Sequence, residues 1–182
     1  MRIDPASHMV VGVRYAPSPN FDERPERTAV SLIVVHNISL PPNEFEGPFI
    51  EQLFTNQLDP NAHPYFEEIK DYKVSAHILI RRNGEVVQFV PFNKRAWHAG
   101  QSTYKGCENC NDFAIGIELE GADETPYEEA QYMVLATLVD SLRIAYPSLS
   151  KEDIVGHSDI APGRKTDPGL AFNWDDFSEQ LV

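Results

Sequence analysis

The sequence predicts an α/β domain, a single unit with a central mixed β-sheet flanked by helices. Three observations carry this. Ala29–Val35 is a nearly continuous, valine-rich apolar run, the pattern of a strand buried on both faces. Ser75–Arg82 and Glu85–Pro91 are β-like runs joined by Asn83-Gly84, a pair that supplies positive φ for a tight hairpin. Thr125-Pro126-Tyr127-Glu128 opens a segment of helical spacing. Strands and helices thus interleave along the chain.

Taken in order, Ala6-Ser7-His8-Met9 reads as a remnant of an expression vector, which sets residues 1–9 apart from a domain at 10–182. Residues 11–27, with several prolines and charges, read as an extended arm. The strand at 29–35 ends at His36-Asn37, before Pro41-Pro42, which cannot continue it. Phe49, Leu53 and Phe54 suggest a short helix within 47–56, followed by a loop over 56–65. After the hairpin, 96–112 reads as loop. Phe113–Glu120 alternates strictly, with Phe113, Ile115, Ile117 and Leu119 on one face and Ala114, Gly116, Glu118 and Glu120 on the other. In the next helix Thr125 caps, Glu128 completes a capping box, and Val134, Leu138, Leu142 and Ala145 share a face; Pro147 ends it. Asp153–His157 is a short strand, and Asn173–Leu181 a last helix with Trp174, Phe177 and Leu181 inward.

The chain has 182 residues, 42% of them hydrophobic, which is enough for one core. Its net charge of −13 argues against nucleic acid and anionic membrane surfaces as partners. No run approaches the roughly 18 apolar residues of a membrane span. The first residues lack the apolar core of a secretion signal, so a cytoplasmic site of action is expected. The two cysteines, Cys107 and Cys110, imply no disulfide framework. Their CxxC has no second ligand pair for a structural zinc and lies in a predicted loop, so it reads as two reduced cysteines.

The chemistry centres on residues at strand ends. His36 closes one buried strand, His157 follows Ile154-Val155-Gly156, and Asp167 comes shortly after. Two neutral imidazoles and a carboxylate would leave a fourth zinc position open, as catalytic sites do. Separated histidines at strand ends also serve as plain structural groups, and spacing leaves both readings open. Glu118 shares its face with Ala114 and Gly116, small residues that leave room for a ligand above the sheet. There it suits a general base, although a solvated glutamate on an exposed face would read the same, as Glu120 does. Lys165, two residues before Asp167, falls on its side in extended chain and can stabilise an oxyanion; an exposed loop lysine is the alternative. Trp97-His98-Ala99-Gly100 offers an aromatic and an imidazole in a glycine-containing loop, suited to a sugar ring or else tucked into the core. His77 reads as a core or supporting residue, His63 as a turn residue, and Tyr65 as a polar contact.

Five segments together resemble a known family. They are Val34-Val35-His36-Asn37-Ile38-Ser39-Leu40-Pro41-Pro42, Asp59-Pro60-Asn61-Ala62-His63-Pro64-Tyr65-Phe66, Lys94-Arg95-Ala96-Trp97-His98-Ala99-Gly100, Ile115-Gly116-Ile117-Glu118-Leu119-Glu120-Gly121 and Arg164-Lys165-Thr166-Asp167-Pro168-Gly169. In this order they resemble the zinc-dependent N-acetylmuramoyl-L-alanine amidases, which include phage lysozyme amidases and peptidoglycan recognition proteins. Within these they are most similar to the cytoplasmic 1,6-anhydro-N-acetylmuramyl-L-alanine amidases of Gram-negative bacteria. The resemblance runs from about Gly12 to Trp174. It implies one zinc ion held by His36, His157 and Asp167 in a surface groove of the sheet, with Glu118 as base and Lys165 as transition-state stabiliser. It implies an anhydro-muropeptide substrate, contacts from Asn37, Trp97 and His98, and a place in cell-wall recycling that bears on β-lactamase induction; Tyr65 and Lys73 are further candidate contacts, and a monomer is expected. Relatives often carry arginine at the positions of Lys73, Cys107 and Asn109, and an arginine fork grips a carboxylate in a way lysine does not. An amidase acting on intact peptidoglycan and a non-catalytic peptidoglycan-binding module are the competing readings.

Overall fold

The computed structural model describes residues 1–182. The first ten residues form a hairpin of β1 (Ile3–Asp4) and β2 (Met9–Val10), which packs on the helix α3 described below. The arm that follows is not featureless. It contributes β3 (Arg14–Tyr15) to a sheet edge and β4 (Phe21–Glu23) to a small antiparallel pair. β5 (Leu32–Ile38) starts later than the apolar run and continues through His36, so His36 lies inside the strand and not beyond it. Two short helices follow, α1 (Phe49–Phe54) and α2 (Phe66–Ile69), the second unmarked by any periodicity in the sequence.

β6 (Ile78–Ile80) and β7 (Val86–Gln88) form the expected hairpin. Its turn holds one positive-φ residue, Gly84 at +84°, while Asn83 accepts a hydrogen bond from Glu85 N through its side chain. The predicted loop over 96–112 is partly ordered: β8 (Lys94–Ala96) pairs with β4, and β9 (Thr103–Tyr104) with β10 (Cys107–Glu108). Both cysteines are free, Cys107 exposed and Cys110 buried.

β11 (Ala114–Glu120) is buried along its whole length, so neither glutamate lies on an exposed face. α3 (Glu129–Ala145) begins after a capping box of Glu128 and Gln131, one turn later than Thr125 would place it. Its inward face is Tyr132, Leu135, Leu138, Val139 and Leu142, whereas Ala145 is exposed. β12 (Ile154–Gly156), α4 (His157–Ile160) and α5 (Trp174–Glu179) complete the chain, with Asn173 capping α5. His157 therefore opens a helix and does not end a strand. No helix is long and apolar enough to cross a membrane.

The six-stranded sheet has the order β12-β5-β11-β6-β7-β3. β12, β5, β11 and β6 are parallel; β7 turns back antiparallel to β6 and pairs in parallel with β3. The sheet is mixed and has helices on both faces, the expected α/β architecture. On one face Ile33, Val35, Ile115, Ile117 and Leu119 pack beneath α3 and α5. On the other, Leu79 and Val87 lie under α1 and α2, and Leu32, Val34 and Ala114 lie under Ala99, Cys110 and Ile160.

Glu120 is resolved by its partners. Its side chain is 1% exposed and receives Arg81 Nη1 at 3.0 Å, Glu46 N at 2.7 Å and Arg82 N at 3.2 Å. Arg81 also binds Glu51 and the Gly47 carbonyl. Removing the cation strands a buried carboxylate, so Arg81→Met is expected to lower unfolding free energy by about 3–5 kcal/mol. Urea unfolding would show it, and adding Glu120→Gln to that variant should recover part of the loss.

Candidate active site

The site follows from strand register. β5 and β11 run parallel with Glu118 paired to His36 and Leu119 to Asn37. β12 runs beside β5 on its other side with Gly156 opposite Val35, so His157 continues the row next to His36. His157, His36 and Glu118 therefore line up near the carboxyl ends of three neighbouring parallel strands. Open α/β sheets place ligands in this position.

The segment after α4 returns Asp167 to this row. Its Oδ2 lies 3.0 Å from His36 Nδ1 and 3.0 Å from His157 Nδ1, and the two Nδ1 atoms are 2.9 Å apart. Asn37 holds the returning segment by donating to the Pro168 carbonyl at 3.0 Å and to Asp123 Oδ1 at 2.8 Å. Gly169, at φ +82°, lets the chain pass Asp123, where a Cβ would stand 2.1 Å from its Cα.

The donor set fits a metal ion. The Ala99 carbonyl, 3.0 Å from His157 Nε2, can only accept, so the His157 proton resides on Nε2 and Nδ1 carries a lone pair. His36 Nε2 meets His98 Nδ1 at 2.9 Å, and a proton there leaves the His36 Nδ1 lone pair free as well. Burial pushes the His36 imidazole down to about 4, so it is neutral near pH 7. Burial pushes the Asp167 carboxyl up, but the adjoining His157 and His36 rings outweigh it and hold it below the usual carboxylate range. Three lone-pair donors in mutual contact repel one another unless a cation lies among them. These residues could hold a metal ion, and two nitrogens with one oxygen match an open zinc site.

Glu118 stands beside this trio without belonging to it. Its Oε2 is buried and has no hydrogen-bond partner. Burial, reinforced by the Asp167 charge, pushes its carboxyl well above the usual range, while Lys165 pulls it back in part. A carboxyl raised in this way is suited to taking and returning a proton near neutral pH.

A cavity of about 390 Å³ opens over these groups and is lined by His36, Asn37, Tyr65, His98, Glu118, His157, Lys165 and Asp167, among others. A second recess of about 640 Å³ shares Asn37, Lys165 and Asp167 with it and adds Asp123 and Arg164. Trp97 and Lys73 fall outside both linings; Lys73 is exposed, and Trp97 is half-buried and backbone-bonded to Ser75. The room above Gly116 is already filled: a Cβ there would stand 2.4 Å from His98 Cγ, so this glycine accommodates an imidazole of the protein and not a ligand. His77 is a buried supporting residue, accepting from Gly116 N and meeting the Lys94 carbonyl. Sequence reasoning missed the apolar wall of the cavity, Leu53, Phe54, Ile69 and Val74, because nothing separates those residues from ordinary core.

Comparison with known proteins places this arrangement. Residues 26–170 match the family model described as N-acetylmuramoyl-L-alanine amidase. The 1,6-anhydro-N-acetylmuramyl-L-alanine amidase AmpD of Enterobacter cloacae is 59% identical over 173 residues, covering 95% of this chain and 92% of that protein. The protein of the same name from Escherichia coli K12 is 59% identical over 165 residues, covering 91% and 90%. A crystal structure of a selenomethionine AmpD derivative superposes with a TM-score of 0.96 at 54% identity, and the match covers 100% of both chains. The matched region spans β5 through Asp167, so the row of residues on the sheet and the returning carboxylate both lie inside it. The chain therefore belongs to the N-acetylmuramoyl-L-alanine amidase family.

Proposed function

We propose that the protein hydrolyses the amide bond between 1,6-anhydro-N-acetylmuramic acid and L-alanine in cytoplasmic muropeptides, as a zinc-dependent step of cell-wall recycling. The observation that carries this reading is the convergence of His36 Nδ1, His157 Nδ1 and Asp167 Oδ2 beside a buried carboxyl with an unpartnered oxygen. The names of the relatives supply the substrate class.

His36, His157 and Asp167 would hold the zinc ion. Such an ion polarises a carbonyl oxygen and lowers the pKa of water towards about 7. Glu118 takes the proton of the attacking water and returns it to the alanine nitrogen as the amide bond breaks. Lys165 offers its ammonium to the oxygen that becomes negative at the tetrahedral stage. His98 and Tyr65 border the cavity on the substrate side, and Arg164 with Lys165 gives an acidic protein local positive charge where an anionic peptide must bind. In the cytoplasm, acting as a monomer, this chemistry would also lower the pool of fragments that induces β-lactamase.

The test compares anhydro-muramyl tripeptide with intact sacculi, reading products by mass spectrometry with and without a chelator. Chelator-sensitive release of free tripeptide from the small fragment, with sacculi untouched, is expected. Cleavage of both would make the protein a broad amidase. If neither were cut while zinc was bound, the reading as an enzyme of recycling would fail.

A further inference from the structure

The two histidines of the converging trio share an outer support. His36 Nε2 meets His98 Nδ1, and His157 Nε2 meets the carbonyl of the next residue, Ala99. One dipeptide therefore takes the outward nitrogen of both imidazoles. The Ala99 carbonyl puts the His157 proton on Nε2, and His98 Nδ1, when it accepts, does the same for His36; each contact then sets the direction of the lone pair on Nδ1.

Both backbone N–H groups of the dipeptide go to a single side chain. Asn111 Oδ1 accepts from His98 N at 3.1 Å and from Ala99 N at 2.8 Å. Asn111 is fixed in turn, because Arg24 Nη1 donates to its carbonyl at 3.1 Å. From the opposite side Arg164 Nη2 donates to the carbonyls of Ala99 at 2.7 Å and Gln101 at 2.5 Å. Between them Gly100 turns the chain at φ +58° with its Cα side against the Arg164 guanidinium. Asn111 lines neither the cavity nor the recess beside it.

We infer that Asn111 is a positioning residue for the metal centre, setting the orientation of His36 and His157 together through His98 and Ala99, with Arg164 bracing the same loop. The inference rests on the zinc site proposed above. Nothing in the sequence marks Asn111, which follows Cys110 in a stretch that reads as loop. Its role arises from the backbone N–H groups that it satisfies, and backbone contacts leave no residue pattern.

The experiment measures the zinc dissociation constant of wild type, Asn111→Ala and Asn111→Asp by competition with a chromophoric chelator. The absorption of the cobalt-substituted proteins and the melting of the metal-free forms are recorded alongside. Loss of an outer partner of a metal ligand typically weakens metal binding about 10–100-fold, and Asn111→Ala, which acts one step further out, should weaken it by up to about 10-fold with an altered cobalt spectrum. Asn111→Asp keeps an acceptor oxygen at the same place and should restore both to near wild type. A role confined to folding would lower the melting temperature of the metal-free form and leave the zinc constant alone; that result would overturn the inference. So would an aspartate variant as weak as the alanine one. Should Asn111→Ala fail to fold, Arg164→Ala, changed at an exposed side chain, takes its place, and an unchanged zinc constant there counts against the brace. A wild type without zinc affinity would instead defeat the metal site itself.

Discussion

Glu118→Gln is expected to lower turnover by about 10²–10⁴-fold, the usual worth of a positioned general base, while zinc content and thermal midpoint stay near wild type. The register of β5 and β11 sets Glu118 next to His36, yet its carboxylate is not among the three converging donors. Glutamine has the same shape and fills the same space, so packing is kept. It carries no charge and cannot take a proton from water. The fold loses nothing by the change, because Glu118 Oε2 has no partner to strand, and burying a charge without one is unfavourable to begin with. KM should therefore move little and kcat should carry the effect. Steady-state rates on anhydro-muramyl tripeptide, with zinc measured on the same samples, decide it. A variant that kept wild-type turnover would remove Glu118 as the base.

The contrast between Glu118 and Glu120 shows where sequence reading ran out. Both lie on the same face of one strand, and alternation treats them alike. The structure separates them through Arg81, from the β6–β7 hairpin, and through the backbone of Glu46, neither near β11 in the chain. Pairing across distant segments decides such questions, and periodicity along one segment does not contain it. The same holds for Gly116, which signalled open space that His98 occupies. In α3 the apolar residues surround more than one face, with Met133 and Ile144 exposed; the expected stripe holds at Leu138 and Leu142, is partly buried at Val134, and fails at Ala145, which is exposed. Buried strands were legible because Val, Ile and Leu fill both faces. The ends of those strands were legible as sites for chemistry, since His36 follows a long apolar run and His157 the short Ile154-Val155-Gly156. The trio of His36, His157 and Asp167 came from the resemblance of whole segments; spacing alone allowed a structural role for each histidine.

Asp167→Ala should abolish zinc binding at micromolar metal and activity with it. Asp167 Oδ2 is the one charged atom among the three converging donors, and it touches both Nδ1 atoms at 3.0 Å. Without it two imidazoles remain, too few for the three protein ligands that catalytic zinc sites use. The loss should exceed the about 10–100-fold that an outer partner is worth. Melting curves give a readout independent of turnover. Zinc in 100-fold excess over its dissociation constant stabilises a folded protein by about 2.7 kcal/mol. For a domain of this length that is a rise of about 5–10 °C in Tm, at roughly 2–4 °C per kcal/mol. The wild type should show this rise on adding zinc and the variant should show none. Melting of the metal-free forms sets the baseline for each protein, so that only the rise on adding zinc is compared. A variant whose Tm rose with zinc as the wild type's does would place the ion elsewhere, and Glu118 and Lys165 would then have no shared centre on which to act.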